Sequence, residues 1–259
     1  MLEKNAKILS LVPSWTETLI EAGIDVVGRT RFCIHPESKV KSIPAVGGTK
    51  NMQIDEILKL SPDLVVLDQE ENKKEMAEVL TQNGIEIAVS HVTGLQEASD
   101  FLHNLGQRLQ NPKLQEYAHR YRQILEKKEK INAELFWRQI LIQDAELVAE
   151  LSRKSIQELQ LTPIEYVIWK NPFMVIGQGT FITEVMSLVG VHLSHPQKYP
   201  QIEASALKKA MCLFSSEPFP FAKYIHQLKA EGFQGALVDG EKISWYGWRN
   251  LTFLESCFN

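Results

Sequence analysis

The sequence predicts an α/β protein made of two small lobes, each with a mainly parallel sheet, joined by a long linking helix. The first observation behind this prediction is a stretch from Lys113 to Thr162 that contains no Gly and no Pro and is rich in residues of high helix propensity. The second is that the chain before this stretch and the chain after it have the same order of predicted strands and helices. Residues 1–111 are therefore predicted as an N-terminal lobe, 112–162 as a helical linker region and 163–259 as a C-terminal lobe.

The predicted linker is bounded by two prolines, of which Pro112 suits the start of a helix and Pro163 its end. Its apolar residues recur at helical spacing, at Leu114, Tyr117, Tyr121, Ile124, Leu125, Ile131 and Leu135. This pattern predicts one long helix, or two helices end to end, with one face resting on other structure. The alternative is an ordinary pair of surface helices inside a single domain.

The two flanking halves share three matching features. In the first half AKILSLVP leads into TETLIEAG, and in the second IEYVIW and MVIG lead into TFITEVMSLVG. In both halves, a helical pattern then runs into an apolar strand followed by a glutamate, and a helix with a terminal Gly precedes a further strand. Alternating strands and helices predict a parallel sheet, which binds ligands beyond the carboxyl ends of its strands. Two such lobes facing each other would share one cleft.

The individual elements follow from local signals. Lys7–Val12 is apolar and β-prone and ends at Pro13, after which a hydroxyl side chain can cap a helix that stops at Gly23. The other predicted strands are Asp25–Arg29, Leu64–Leu67, Glu86–Ser90, Glu165–Trp169, Cys212–Phe214 and Gly235–Val238. The other predicted helices are Asp55–Leu60, Lys73–Asn83, Leu95–Leu109, Phe181–Val189, Ala204–Ala210 and Phe221–Ala230, and Thr252–Phe258 closes the chain. Asp239–Arg249 is predicted as a loop and the start of a helix.

Composition argues against several classes of protein. The 259 residues are 44% hydrophobic and 23% charged, as in a soluble globular protein. A net charge of −4 without a basic block argues against nucleic acid as a partner, and no apolar run is long enough for a membrane-embedded protein. Three widely spaced cysteines argue against a disulfide framework. No signal-peptide pattern is visible, which predicts a cytoplasmic protein, or a periplasmic one if a signal has been removed.

Cys33 and His35 stand two residues apart in RFCIHP, directly after a predicted strand. On an extended segment this spacing points both side chains to one face. A thiolate and an imidazole can bind Zn, Cu or Fe, and the imidazole could also be an axial ligand of a macrocycle-bound metal. The alternative is a cysteine packed as a small hydrophobe beside a hydrogen-bonded loop histidine.

Carboxylates follow the predicted strands of both halves, where they would line the rim of the cleft. They are Glu70 and Glu71 in the first half and Glu217, Asp239 and Glu241 in the second. Such groups could bind a cation, hydrogen-bond a polar ligand or dock on a basic partner, whereas most loop charges are simply solvated. The sequence offers no nucleophile with an oriented histidine and no HExxH motif, so we expect no enzymatic activity.

Aromatic residues are concentrated in predicted loops, such as the one that holds Trp245 and Tyr246 beside Arg249. Because Gly and Pro bound these segments, the rings should stay near solvent, where aromatic faces beside a guanidinium suit a flat, partly apolar and partly anionic ligand. Local packing is the alternative. The candidate ligand-binding residues are Pro13, Cys33, His35, Trp169, Trp245, Tyr246 and Arg249.

Several segments together resemble a known family. The family is that of cobalamin- and siderophore-type substrate-binding proteins of ABC transporters, and within it a signal-less branch called helical-backbone metal receptors. The segments that look like it are ILSLVPSWTETLIEAG, VGRTRFCIHP, VGGTKN, PDLVVLDQEEN, SSEPFPF and DGEKISWYGWR, which together span nearly the whole chain. The resemblance implies two lobes of the periplasmic-binding-protein type on a rigid linking helix, with a metal chelate clamped between them.

The resemblance also assigns a docking role to acidic residues. In exported members of the family, one surface glutamate per lobe docks on arginines of the membrane permease, and Glu70 or Glu71, and Glu217, hold those positions here. The linker region is longer than is usual in the family. The aromatic residues that grip cobalamin in characterised members do not map cleanly onto this chain, so the ligand does not transfer.

The sequence supports three hypotheses. The first is a monomeric, non-enzymatic receptor for a metal chelate such as a corrinoid, haem or a ferric siderophore, with an ABC permease as partner and no firm cofactor of its own. The second is a cytoplasmic metal-binding protein or enzyme of the same fold that uses Cys33 and His35 with the cleft carboxylates around a metal ion. The third is a scaffold that binds another protein through the acidic rim. For the first, we expect Trp245, Tyr246 and Arg249 to face Cys33 and His35 across a single opening.

Overall fold

The computed structural model describes residues 6–142 and 144–258, which divide into two compact units of mixed α/β structure. The first unit comprises Met1–Val92, Gln96–Gln123 and Tyr246–Leu251, and the second comprises Thr93–Leu95, Ile124–Trp245 and Thr252–Asn259. Each unit contains a four-stranded sheet of its own, so the predicted fold class is confirmed. The helices of the predicted linker region are shared between the two units.

The N-terminal half of the chain supplies most of the first unit. Its elements are β1 (Ile8–Ser10), α1 (Pro13–Glu21), β2 (Val26–Arg29), α2 (Glu37–Val40), β3 (Gly47–Gly48), β4 (Asn51–Met52), α3 (Ile54–Leu60), β5 (Leu64–Asp68), α4 (Lys74–Gln82), β6 (Glu86–Ser90), α5 (Leu95–Arg108) and α6 (Pro112–Glu126). The strand order is β2-β1-β5-β6, and every neighbouring pair is parallel. All four predicted strands of this half are present, and β3 and β4 add a short antiparallel hairpin.

The core of the first unit forms around the two central strands. All residues of β1 and β5 are buried, as expected for parallel strands covered on both faces, and this explains why both read as continuous apolar runs. One cluster is Leu9, Leu11, Val46, Ile57, Val65, Leu67, Met76 and Leu80. Because the strands are parallel, their four carboxyl ends open at the same edge of the sheet, and this edge is where a ligand is expected.

The linker region is helical, but it is a series of shorter helices. The prediction of one long helix, or two helices end to end, is therefore wrong. After α6 come a 3-10 turn at Lys128–Lys130 and then α7 (Ala133–Ile140), α8 (Ala145–Arg153) and α9 (Ile156–Leu161). The last three helices begin after Asn132, Asp144 and Ser155, whose side chains each accept a hydrogen bond from the backbone N–H three residues on. Such caps stabilise a non-helical residue at each junction, and they interrupt a helix without Gly or Pro.

The C-terminal half supplies the second sheet. Its elements are β7 (Ile164–Trp169), β8 (Met174–Val175), α10 (Phe181–Ser187), α11 (Ala204–Leu207), β9 (Met211–Ser215), α12 (Ile225–Ala230), β10 (Gln234–Val238), α13 (Gly240–Ser244) and α14 (Trp248–Glu255). The strand order is β10-β9-β7-β8, with β10, β9 and β7 parallel and β8 antiparallel to β7. Its core cluster is Val167, Val175, Leu207, Cys212, Phe214, Phe221, Leu228 and Phe233. The predicted loop at Asp239–Arg249 contains one additional helix, α13.

Two further features concern the cysteines and the length of the helices. Cys33, Cys212 and Cys257 are free and buried, as their odd number and wide spacing suggested. Within residues 6–142 and 144–258, no helix combines the length and apolar composition needed to cross a membrane.

The capping box at α9 gives a direct test of the interrupted helical region. Ser155 accepts a hydrogen bond from the backbone N–H of Glu158, whose carboxylate accepts one from the backbone N–H of Ser155. We expect Ser155→Ala to lower the free energy of unfolding by about 1 kcal/mol, because an N–H of the first turn loses its acceptor. Urea unfolding measures the change, with Ser194→Ala, in an exposed loop, as the control. Equal stability of the two variants would contradict the capping assignment.

Candidate functional site

The loop after β2 turns one side chain inward and its two neighbours outward. Cys33 is fully buried, and its Sγ lies 3.1 Å from Thr16 Oγ1 and 3.2 Å from Thr30 Oγ1. Phe32 and Ile34 on either side are 47% and 49% exposed. Burial raises the pKa of the Cys33 thiol, which favours the protonated thiol over the thiolate. His35, predicted to share a face with Cys33, is partly buried.

Phe32 is held in place by its surroundings. The guanidinium of Arg31 lies over the Phe32 ring, with its Cζ 4.9 Å from the ring centroid. Gly48 of β3 lies directly beneath the ring, because a Cβ on Gly48 would come within 3.2 Å of Phe32 Cε2. The carboxyl end of β2 therefore presents an apolar surface with a positive charge beside it.

The start of α1, just beyond the carboxyl end of β1, carries a buried ion pair. Pro13, a predicted ligand residue, is the buried first residue of α1. One turn further on, the largely buried Glu17 carboxylate accepts two hydrogen bonds from Arg249, from Nε at 2.9 Å and from NH2 at 2.7 Å. Bidentate arginine–carboxylate pairs are among the strongest charged hydrogen bonds in proteins. Arg249, predicted to meet an anionic ligand, is thus bound within its own unit.

The carboxyl ends of β5 and β6 are joined by a buried carboxylate. Asp68 accepts hydrogen bonds from Ser90 Oγ at 2.6 Å and from the backbone N–H groups of Glu70 and Glu71 at 2.8 and 3.2 Å. Ser90 Oγ in turn accepts one from the indole N–H of Trp15 at 2.8 Å. This network fixes the acidic loop, and the side chains of Glu70 and Glu71 remain partly exposed.

Tyr246 belongs to the same unit as this network. Its ring packs against Trp15 with the centroids 4.8 Å apart, and only 8% of the residue is exposed. Burial raises its pKa well above the ordinary value, and the nearby charges of Asp68 and Glu71 raise it further. The next residue, Gly247, has a φ of +88°, and a Cβ there would meet Thr18 Oγ1 at 2.1 Å, so only glycine fits.

In the second unit, an aromatic cluster lies beyond the carboxyl ends of β7 and β9. Trp169 ends β7, is 41% exposed and meets Phe219 edge-on, with the ring centroids 5.5 Å apart. Phe219 also contacts Phe221 and Tyr224, at centroid distances of 4.7 and 5.3 Å. Trp169 is therefore partly exposed, and one edge of its indole packs against Phe219.

Glu217 lies beyond the carboxyl end of β9 and points to the loop after β10. Its carboxylate accepts a hydrogen bond from Ser244 Oγ at 2.6 Å and another from the side chain of Trp245. Burial raises the pKa of Glu217, and the charges of Glu241 and Asp239 add to the rise. Asp239 itself caps α13, where it accepts from the backbone N–H of Lys242 at 3.2 Å.

The predicted arrangement of the site therefore needs one correction. Tyr246 and Arg249 belong to the same unit as Cys33 and His35, not to the unit of Trp245. They were expected on the opposite lobe because they follow its last strand in sequence, but their burial against Trp15 and Glu17 fixes them in the first unit. In the part of the chain that the structure describes, no three His, Cys, Asp or Glu side chains are grouped so that they could hold a metal ion.

Two residues that the sequence analysis missed are Phe32 and Ile34. The signal was present, because the extended spacing that was applied to Cys33 and His35 also places Phe32 and Ile34 together on the other face. What the pattern did not reveal is which face turns toward solvent.

Comparison with known proteins identifies the family of this chain. The sequence profile of the family described as periplasmic binding protein matches residues 8–211, which is most of the chain. The chain therefore belongs to the periplasmic binding protein family.

Individual relatives share the fold at low identity. A vitamin B12-binding protein from Vibrio cholerae is 26% identical over 221 residues, which cover 82% of this chain and 70% of the relative. A periplasmic haem-binding protein from Pseudomonas aeruginosa superposes with a TM-score of 0.72 at 19% identity, over 98% of this chain and 92% of the other. An ABC transporter substrate-binding protein from Listeria monocytogenes EGD-e superposes with a TM-score of 0.69 at 12% identity, over 98% and 97%. These relatives are binding proteins.

The Arg249–Glu17 pair predicts a large effect of a single substitution. We expect Arg249→Met to lower the free energy of unfolding by about 3 kcal/mol, because it leaves a buried carboxylate without its partner. The matched control is Arg138→Met, which breaks an exposed pair with Glu134 and should change stability by less than about 1 kcal/mol. Urea unfolding measures both, and the double variant Glu17→Gln/Arg249→Met should recover part of the loss. If the two arginine variants are equally stable, the buried pair contributes no more than a surface pair.

The raised pKa of Glu217 predicts a pH-dependent stability. The ordinary carboxyl value of 4.5 applies in the unfolded chain and the folded value lies above it. The folded state therefore favours the proton, and the stability associated with the protonated form is lost as pH rises through the folded pKa. We expect the stability of wild type relative to Glu217→Gln to fall as the pH rises from 4.5 toward neutrality. Urea unfolding across that range is the measurement, with the exposed Glu203→Gln as control. A constant difference would contradict the raised pKa.

Proposed function

We propose that this protein is a substrate-binding protein of the ABC-transporter type that binds a metal chelate, such as a corrinoid, haem or a ferric siderophore. Family membership supports the general class. The vitamin B12-binding and haem-binding relatives support a ligand in which a metal sits in a large organic chelate.

The observation that carries this proposal is the exposure of apolar rings at the carboxyl edges of the sheets. At the first sheet, Phe32 and Ile34 expose nearly half of their surface, with the Arg31 guanidinium beside them. At the second sheet, Trp169 is exposed to a similar degree. Large apolar side chains in such positions cost stability in water, and aromatic faces beside a guanidinium suit a flat, partly apolar and partly anionic ligand.

The alternative of a metal-binding protein or enzyme that uses Cys33 and His35 is not favoured. The Cys33 thiol is fully buried among two threonine hydroxyls, and burial disfavours the thiolate that metal binding needs. A chelate brings its metal already coordinated, so the protein that binds it requires contact surfaces rather than a complete set of metal ligands.

A permease partner forms part of the same proposal. Glu70 and Glu71 keep their side chains partly exposed on a loop that Asp68 fixes, which suits docking on basic residues. Glu217 does not suit that role, because its carboxylate is hydrogen-bonded to Ser244 and Trp245 inside its own unit. We therefore assign docking to Glu70 and Glu71 and a different role to Glu217.

The decisive experiment is a binding titration against a panel of cyanocobalamin, haemin and ferric siderophores. For a panel member that binds, we expect Trp245→Ala and Trp169→Ala each to remove about 1–3 kcal/mol of binding free energy, the scale of a buried aromatic contact. The control is Leu161→Ala, because Leu161 is also an exposed apolar residue, with 85% of its surface accessible. Leu161 ends α9 and precedes the start of β7, whereas Trp169 lies at the carboxyl end of that strand. Binding of none of these compounds, or equal binding by the tryptophan variants and the control, would contradict the proposal.

A further inference from the structure

We propose that Glu217 is a positioning residue that holds the indole of Trp245 for ligand contact, so that ligand affinity follows the protonation of Glu217. This rests on the proposed function, because it takes Trp245 to be a ligand contact. The chemistry is a hydrogen bond between a partly buried carboxylate and an indole, and the consequence is a binding protein that releases its ligand more readily in acid.

The geometry around Glu217 supports this assignment. Trp245 follows α13 directly and has one polar hydrogen on its side chain, the indole N–H, so its bond to Glu217 fixes the orientation of the whole ring. Ser244, the preceding residue, donates to the same carboxylate through Oγ at 2.6 Å. Two donors from consecutive residues therefore meet one acceptor group.

Close packing keeps Glu217 at this position. A Cβ on Gly240 would lie 2.2 Å from Ser215 Oγ and 3.3 Å from Glu217 Cγ, so the start of α13 approaches the end of β9 as closely as glycine allows. The backbone N–H of Gly240 donates to Ser216 Oγ at 3.0 Å. The Glu217 side chain thus lies where the end of β9 and the start of α13 pack closely together.

The charged and titratable groups around Glu217 come from two elements, α13 with its cap and β7. Asp239 and Glu241 lie at the start of α13. On β7, the Tyr166 hydroxyl donates a hydrogen bond to Ser215 Oγ at 3.3 Å, and the charge of Glu217 helps to raise the pKa of Tyr166. Lys242, the nearby cation, lies 3.4 Å from Asp239 and donates to the Gln139 carbonyl at 2.9 Å. Both nearby carboxylates raise the pKa of Glu217, in the same direction as its burial.

Protonation changes what Glu217 can accept. The carboxylate has an acceptor oxygen for each of its two donors, whereas the protonated acid turns one oxygen into a donor. The Ser244 hydroxyl can rotate to accept that new proton, and the indole keeps the remaining carbonyl oxygen. This oxygen is neutral and accepts a weaker hydrogen bond than a carboxylate oxygen, so the bond to Trp245 weakens. A glutamine at 217 has the same pattern as the protonated acid, since its oxygen can accept from the indole while its amide group donates to Ser244.

The first test follows Trp245 in the ligand-free protein, so its outcome does not depend on the proposed ligand. Subtracting the fluorescence of Trp245→Phe from that of wild type isolates Trp245 among the five tryptophans. Between about pH 4 and pH 8 we expect this difference signal to titrate in wild type and to stay constant in a Glu217→Gln background. Glu241→Gln should move the midpoint to lower pH, because the charge of Glu241 raises the pKa of Glu217. A difference signal that does not titrate overturns the proposal.

The second test measures affinity for cyanocobalamin and haemin across the same pH range. In wild type we expect about three- to tenfold weaker binding at the acid end, the scale of exchanging a charge-assisted hydrogen bond for a neutral one. Glu217→Gln should bind at every pH with the weaker affinity that wild type shows at the acid end, and Glu217→Ala should bind more weakly still. Melting curves show that each variant is folded. Wild-type affinity in Glu217→Ala would overturn the positioning role, whereas a normal fluorescence titration without binding of any probe would count against the proposed function alone.

Discussion

Parallel strand pairing is the constraint on which the rest of this structure depends. In each sheet the parallel strands need crossover segments that cover the sheet faces, so the loops at the carboxyl ends gather at one edge and stay free of that packing. At the first sheet this edge collects the loop with Phe32 and Ile34 together with the acidic loop after β5. At the second it collects Trp169 and Glu217. Residues far apart in sequence become neighbours for this reason alone.

Three carboxylates stabilise these edges, and each is satisfied in a different way. Asp68 accepts from backbone N–H groups and a serine, Glu17 from a guanidinium, and Glu217 from a serine and an indole. A buried carboxylate without such donors would cost several kcal/mol, so each one fixes the segments that supply its donors. The segments that supply these donors are therefore held in place, and a rigid segment binds a ligand with less loss of conformational entropy.

The fold was predictable because its signals are local, whereas much of the candidate site was not. Strands such as Leu64–Asp68 are recognisable in the sequence as short apolar runs, and their alternation with helical patterns implies parallel sheets. The helical region differs from the predicted long helix because Asn132, Asp144 and Ser155 act as N-caps, each of which starts a new helix. Cys33 and Arg249 were misplaced for a different reason. Whether a side chain points to a ligand or to a partner inside its own unit depends on contacts between distant segments, such as Arg249 with Glu17, and spacing along the chain does not encode them.

The three native thiols have a practical consequence for work on this protein. Cys33, Cys212 and Cys257 are all fully buried, and burial raises the pKa of the last two to about 12. Reagents such as maleimides attack the thiolate, so none of the three should compete for them in the folded state. A cysteine introduced at an exposed position such as Val89 would then be the single reactive site on the molecule. The chain could carry one environment-sensitive dye without removal of its own cysteines, which makes it a convenient scaffold for an optical sensor.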